Sequence, residues 1–500
     1  MLEFKSHFMA GTGAICVQTL EEGRLIACLL EQVEPLEMMV ISAPSGAGVC
    51  VGLADDGSVS YNTEPTIKGG SGTLALAYEW AAASGSRLLL VRDWHCINNN
   101  PIQWRMLLDW VDRVRCPQGG GGPSLIVFVG KLWDFSPQSM IALQIPVVDY
   151  KLPDRAELLG LVQRLSAANS LDMPETDAIE VVIDSLIGLS LASAEQAVAE
   201  CLVRNSRRWD VPTLLQSKEL QFRQAGLNVW KPNPSLGGFS GISKHFDNDV
   251  VPHVRDDQIG IRRILLCGVP GVGKSYCATV LAHRLGWLCL ELSLEKMKGS
   301  LVGSSVANVA RCFATIDAAA PCVVVLDELD KVASTGLDGG ASAGIFGETL
   351  KWLEESKTCC IVIATLNNMD GLDAAMSSRF DSQWFFDIPV ESERIEVARI
   401  HYTLLGCDPD SIDTAATLTG SITEGFSNRE IARRVCKAVA MDSSRNPTEE
   451  IIRAVVARTP KTMSTHRAQI EKMREAAVSL RRANDPIIGS PVSRRKISNN

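Results

Sequence analysis

The stretch "CGVPGVGKSYC" at 267–277 constrains this chain more than any other. It sets glycines, a proline and a lysine between the apolar run "RILL" and the apolar-periodic "YCATVLAHRL". A buried strand that opens through such a loop into a helix belongs to a parallel α/β sheet, which binds ligands at the carboxyl edge of its strands. Gly268, Gly273, Lys274 and Ser275 meet the spacing G-x-x-x-x-G-K-[ST]. In that pattern backbone N–H groups turn inward around a phosphate and the helix start adds partial positive charge. The lysine reaches the terminal phosphates and the hydroxyl of Ser275 ligates Mg²⁺. The expected contact stretch runs from Gly268 through Pro270, Gly271, Val272 and Gly273 to Tyr276.

A second segment, "PCVVVLDELDK" at 321–331, is an apolar run ending in Asp327 and Glu328. Both carboxylates then fall on the ligand edge of the sheet. Asp327 is the candidate metal holder through water, and Glu328 the candidate base for a water attacking a γ-phosphate. A third run, "CCIVIATLNNMD", ends in Asn367, a neutral amide able to orient that water without competing for the metal. Together the three strands predict a site for ATP and Mg²⁺.

Five hundred residues exceed one core, so several domains are expected. The runs from Met38, Arg87 and Leu125 read as buried strands with helices between them, a parallel α/β pattern. The strand "VVDYKLPD" leads into "RAELLGLVQRL" and later "LIGLSLASAEQAV"; in the second half "WFFDIPVESE" leads into "RIEVARIHYTLL" and "TEGFSNREIARRV". This is an internal duplication of an α/β module with a helical lid. The expected layout is a degenerate α/β domain at 1–155 and its helical lid at 156–227. A linker rich in Pro, Gly, Asn and Ser follows at 228–245, then a core at 246–389, a second lid at 390–457 and a basic tail at 458–500. In the front half "APSGAGVCVG" at 43–52 mimics a phosphate loop but has no Gly-Lys-Ser, so no hydrolysis is expected there. A structural or partner-docking module is the expectation.

Fifteen cysteines are scattered, mostly in apolar runs where cysteine behaves as a small hydrophobe, so a reducing, cytoplasmic setting is expected. No paired C-x-x-C spacing suggests a structural metal, and no long apolar run suggests export or a membrane span. The net charge of -9 opposes a nucleic-acid-coated surface. The tail differs, with 10 Lys or Arg against 3 Asp or Glu. It carries the secondary expectation of nucleic-acid contact; its first part reads as helical and its end, from Asp485, as disordered.

These motifs resemble the AAA+ ATPases, P-loop NTPases whose Walker A, Walker B and sensor 1 are matched by "GVPGVGKS", "VVVLDELD" and "IATLNNMD". The match runs over roughly 235–441, and "IFGETLKWLEE" extends it to the cyanobacterial and chloroplast hypothetical-reading-frame AAA+ proteins. The resemblance implies a homo-oligomeric ring, commonly a hexamer, that remodels a protein client, or alternatively a nucleotide-dependent switch or loader with slow turnover. It implies that Arg379 of "MSSRFD" reaches the γ-phosphate of a neighbouring subunit, although Met376 and Ser377 stand where the family's first arginine would fall. It implies that Arg429 of "GFSNRE" senses phosphate, that Gly241 touches the nucleotide, and that Leu301-Val302-Gly303 and 334–344 form pore loops. Leu301 replaces the aromatic often found in the first of these.

Overall fold

The computed structural model describes residues 4–485 apart from 20, 34–36, 43–47, 54–58, 63–72, 84–86, 94–104, 106–108, 110, 116–123, 131–144, 172, 174–175, 225–226, 257, 295–303, 332–340 and 369–373. Contacts divide the chain into two units, Met1–Leu158 with Leu189–Glu195, and Leu159–Gly188 with Gln196–Asn500. Each is built on a seven-stranded sheet.

In the first unit the strands are β1 (Gly13–Gln18), β2 (Glu37–Ser42), β3 (Gly48–Leu53), β4 (Val59–Tyr61), β5 (Arg87–Arg92), β6 (Leu125–Gly130) and β7 (Val147–Asp149). They lie in the order β4-β3-β2-β5-β6-β1-β7. All pairings are parallel except those of β3, which runs antiparallel to both β2 and β4. The second unit holds β8 (Asn228–Trp230), β9 (Arg263–Gly268), β10 (Cys289–Glu291), β11 (Cys322–Leu326), β12 (Cys360–Leu366), β13 (Ser382–Phe386) and β14 (Arg481–Arg482). Their order is β14-β13-β9-β12-β11-β10-β8, with only β8 antiparallel.

Setting aside the added edge strands, both sheets place their parallel strands in the same order: β7-β1-β6-β5-β2 in one and β13-β9-β12-β11-β10 in the other. The duplication read from the sequence is therefore one of topology. The glycine turns before the paired lid helices also match, with Gly188 at φ 88° and Gly425 at φ 82°. Strand residues alternate between two apolar layers, as period-2 side chains must. Leu265, Cys267, Val324 and Leu326 pack on one face of the second sheet, while Ile264, Leu266, Val323 and Val325 pack on the other.

Two expectations change. "APSGAGVCVG" is no phosphate-loop equivalent, because β3 begins inside it and folds back antiparallel on β2 instead of opening a helix. The equivalent position follows β1, where Glu21 precedes the helix Glu22–Val33. Glu21 is buried, and its carboxylate accepts the Leu191 N–H at 2.8 Å. The segment 228–245 is also more than a connector: β8 extends the second sheet, and Phe239 is buried in its core.

Much of 156–227 packs with the second unit. Phe222 and Leu227 enter the same core as Leu265 and Val324. The Asp184 carboxylate accepts the Trp287 indole N–H at 2.9 Å and pairs with Arg255 at 2.6 Å. The buried Lys218 ammonium donates to the carbonyls of Asp184 and Pro321. The basic tail is folded as far as Asp485: Arg474 makes a forked contact with Asp387, and β14 pairs with β13. Disorder beyond Asp485 concerns residues outside those described. Among the described residues no helix is long and apolar enough to cross a membrane.

Candidate active site

The strands β9, β11 and β12 are adjacent and parallel, so their carboxyl ends deliver the three sequence motifs to one edge. After β9 the chain turns through the glycine loop and enters the helix Lys274–Leu285, with Gly273 at its N-cap and φ 108°. A cavity of about 310 Å³ lies against this turn. Gly271, Val272, Gly273, Lys274, Ser275 and Tyr276 form one wall, Asp327, Glu328 and Asn367 another, and Arg429 stands on the lid side.

Lys274 is 5% exposed. Its ammonium donates to the carbonyls of Gly268 (2.7 Å) and Val269 (3.0 Å) and to Oδ1 of Asn367 (2.8 Å). Burial lowers its pKa to about 8, against the opposing pull of nearby acidic groups. Asn367 then turns its amide the other way, donating from Nδ2 to Glu328 Oε1 at 3.2 Å. One amide thus spans the cation and the carboxylate.

The hydroxyls of Ser275 and Thr365 both donate to Asp327 Oδ1, each at 2.6 Å. Thr365 Oγ1 in turn accepts the Glu328 N–H at 3.0 Å. Glu328 sits at φ 54°, a left-handed conformation that costs a non-glycine residue on the order of 1–3 kcal/mol and persists where surroundings enforce it. Its Oε2 pairs with Lys331 Nζ at 2.5 Å. Asp330 lies behind, its pKa raised chiefly by burial.

The lid closes on the loop through backbone and amide contacts. Arg429 N–H donates to the Gly271 carbonyl at 2.9 Å, and Asn428 Nδ2 to the Val272 carbonyl at 2.7 Å. Away from the phosphate loop the cavity is lined by Gly237, Phe239, Val397, Ile400 and His401. Burial lowers the His401 pKa, favouring a neutral ring in this apolar end.

Four expected residues stand outside the wall. Gly268 supplies a carbonyl to Lys274, and its φ of 143° goes with a close approach to β13: a Cβ there would lie 2.1 Å from the Phe386 carbonyl oxygen. Pro270 is exposed. Gly241 is a packing residue, because its N–H donates to the Ala483 carbonyl and a Cβ would meet the Arg482 carbonyl oxygen at 2.5 Å. Arg379 is not in the cavity; it pairs with Glu354 at 3.1 Å. The first pore-loop candidate, 301–303, lies outside the described residues, as does most of the second; its end, 341–344, opens the helix Ala341–Glu355.

Residues 264–388, which carry all three strand-end motifs, match the family model "ATPase family associated with various cellular activities (AAA)". This stretch of the chain is an AAA ATPase domain. It is 28% identical over 276 residues to the "Uncharacterized AAA domain-containing protein ycf46" of Pyropia yezoensis, covering 51% of this chain and 55% of that one. The aligned region is thus little more than half that relative's length. With the ycf46 protein of Guillardia theta the identity is 24% over 410 residues, 78% of this chain and 79% of the relative, a span longer than the second unit. The AAA+ module is also 32% identical over 191 residues to ATP-dependent zinc metalloprotease FtsH 1 of Salinibacter ruber, 36% of this chain and 27% of that protein.

Thr365 and Asn428 were not legible as site residues. A threonine inside "IVIATL" reads as an ordinary β-branched strand residue. Its spacing, two residues before Asn367 at the carboxyl end of β12, is the signal that could have found it.

Proposed function

We propose that the chain binds ATP with Mg²⁺ in this cavity, hydrolyses it, and works as a subunit of a homo-oligomeric ring that remodels a protein client. The observation that carries the reading is the Lys274–Asn367–Glu328 relay beside the Asp327–Ser275–Thr365 cluster, which fits both the anion and the cation of the substrate. The loop's backbone and Lys274 hold the phosphates, the ammonium exchanging its protein oxygens for phosphate oxygens. Ser275 and Asp327 offer the hard oxygen donors suited to Mg²⁺, which supplies charge neutralisation at the phosphates when bound.

Glu328 accepts a proton from water approaching the γ-phosphate, and Asn367 orients that water while keeping the carboxylate apart from Lys274. Arg379 is assigned to a neighbouring subunit's γ-phosphate, with Glu354 holding it between encounters. We assign the chain to a reducing, cytoplasmic compartment, in which its described cysteines, all free, would persist as thiols. Arg474 is held within the fold by Asp387 and Arg481 lies over the Trp384 ring.

A second reading, a slow nucleotide-dependent switch or loader, draws on Glu328 itself. Each carboxylate oxygen already has one partner, Asn367 or Lys331, and these contacts stabilise the charged form and weaken it as a base. A Glu328→Gln variant tests the main proposal: it retains ATP affinity and assembly while turnover falls at least a hundredfold. Hydrolysis at the parent rate would remove Glu328 from the mechanism.

A further inference from the structure

Glu393 is fully buried, in the first turn of the helix Glu391–Leu404 that follows β13. Its carboxylate gathers four donors from three separate parts of the chain. Val390 N–H, at its own helix start, lies 2.9 Å from Oε2, and Phe239 N–H lies 3.0 Å from Oε1. The C-terminal segment supplies the other two, Asn484 Nδ2 to Oε2 and Asp485 N–H to Oε1, both at 2.8 Å. Asp485 ties the same pieces again, accepting the Ser240 N–H at 2.6 Å and the Ser392 hydroxyl at 3.0 Å.

The junction borders the apolar end of the cavity. Gly237, Phe239 and Val397 line that end, and Phe239 and Val397 stand on two of the segments that Glu393 joins. Gly238 has φ 78°, and a Cβ there would fall 2.4 Å from Glu393 Cγ, so the backbone lies directly on the carboxylate's stem. Four donors on one buried carboxylate leave no surplus acceptor. Removing the C-terminal pair deprives the Phe239 strap of half the groups that fix the acid it hangs from.

We propose that Glu393, Asn484 and Asp485 form a clip that positions the base-binding wall of the nucleotide cavity, so that nucleotide binding and docking of the C-terminal segment strengthen each other. They are positioning residues, touching no reacting atom. The inference rests on the reading of the cavity as an ATP site. Gly237 and Phe239 of the strap line the cavity together with Val397; assigned to the base, this wall makes the clip act on ATP and leave affinity for a bare polyphosphate at the glycine loop unchanged. By linkage, whatever factor the clip adds to ATP affinity, ATP adds to docking of the segment.

The test uses the full chain and two ligands, Mg-ATP and Mg-tripolyphosphate. Asn484→Ala/Asp485→Ala removes the Asn484 amide from Glu393 and the Asp485 carboxylate from Ser240 and Ser392 while keeping the Asp485 N–H; in it the ATP Kd and KM rise about tenfold, kcat stays within twofold, and the tripolyphosphate Kd is unchanged. Asp485→Asn, which keeps an oxygen for Ser240, restores most of the loss. An equal rise for both ligands, or no rise in a folded variant, overturns the clip. Hydrogen exchange on the unsubstituted protein is independent of whether the variants fold: saturating ATP slows exchange at the Ser240 and Asp485 amides, whereas tripolyphosphate does not. Identical exchange with and without ATP overturns the proposal. If the unsubstituted chain bound tripolyphosphate but no ATP, the ATP reading itself would fall; ATP binding unaffected by the clip residues sinks this inference alone.

Discussion

Raising the pH should weaken nucleotide binding through one buried amine. Burial lowers the Lys274 pKa to about 8 from the ordinary lysine value of 10.5. Phosphate contacts favour the charged form and move the value back upward. The free protein therefore binds anions best below pH 8 and progressively loses the charge above it. With a bound-state pKa restored to about 10.5, ATP affinity falls about tenfold between pH 7 and 9, or about 1.4 kcal/mol. Binding takes up about 0.1 proton at pH 7 and about 0.9 at pH 9 from this group. The same shift acts on folding: between pH 8 and 10.5 the unfolded chain holds the extra proton, so Lys274 makes the nucleotide-free protein more stable as pH rises through that window. Calorimetric titrations in buffers of different ionisation enthalpy measure the proton count directly. Lys274→Arg stays charged throughout and should show no growth in uptake. Uptake that remains flat from pH 7 to 9 in the parent protein would refute the argument that a desolvated lysine meets the phosphates.

Arg379→Ala should preserve ATP binding yet cut turnover by about 10³ or more, with activity partly recovered in mixed assemblies with Lys274→Ala subunits. If Arg379 serves only its pair with Glu354, turnover holds and stability changes by at most about 1 kcal/mol. The first unit should take no nucleotide, because the buried Glu21 carboxylate stands where the second unit has its phosphate loop and pairs there with Leu191. Equilibrium dialysis should saturate at one ATP per chain; two would overturn that reading. Asp184→Ala leaves the buried Trp287 indole N–H without its acceptor, and chemical denaturation should register a loss of about 1–3 kcal/mol.

The parallel sheet and most of the site were legible because strand, loop and helix signals coincide there. "RILL", the glycine spacing and Lys274 each constrain the others, and Asp327 and Asn367 inherit their positions from adjacent strand ends. What escaped depends on distant partners. The strand β1, Gly13–Gln18, is a brief apolar run that only its pairing with β6 and β7 makes central. The "APSGAGVCVG" segment has phosphate-loop composition, but the antiparallel return of β3 decides its shape. Asn428 reads as a helix-start residue, and only the lid's fold brings its amide to Val272. Arg481 and Arg482 are exposed, as charged residues read, and the sequence gives no sign that their backbone pairs with Trp384 and Phe385.

Phe222, Leu227, Lys218 and Asp184 also determine where this polypeptide can be cut. Starting a recombinant fragment at residue 228, where composition suggests a seam, would strip a greasy flank from the catalytic half and leave the Trp287 nitrogen bare. A product beginning near residue 155 keeps those helices, and it is the shorter piece worth purifying.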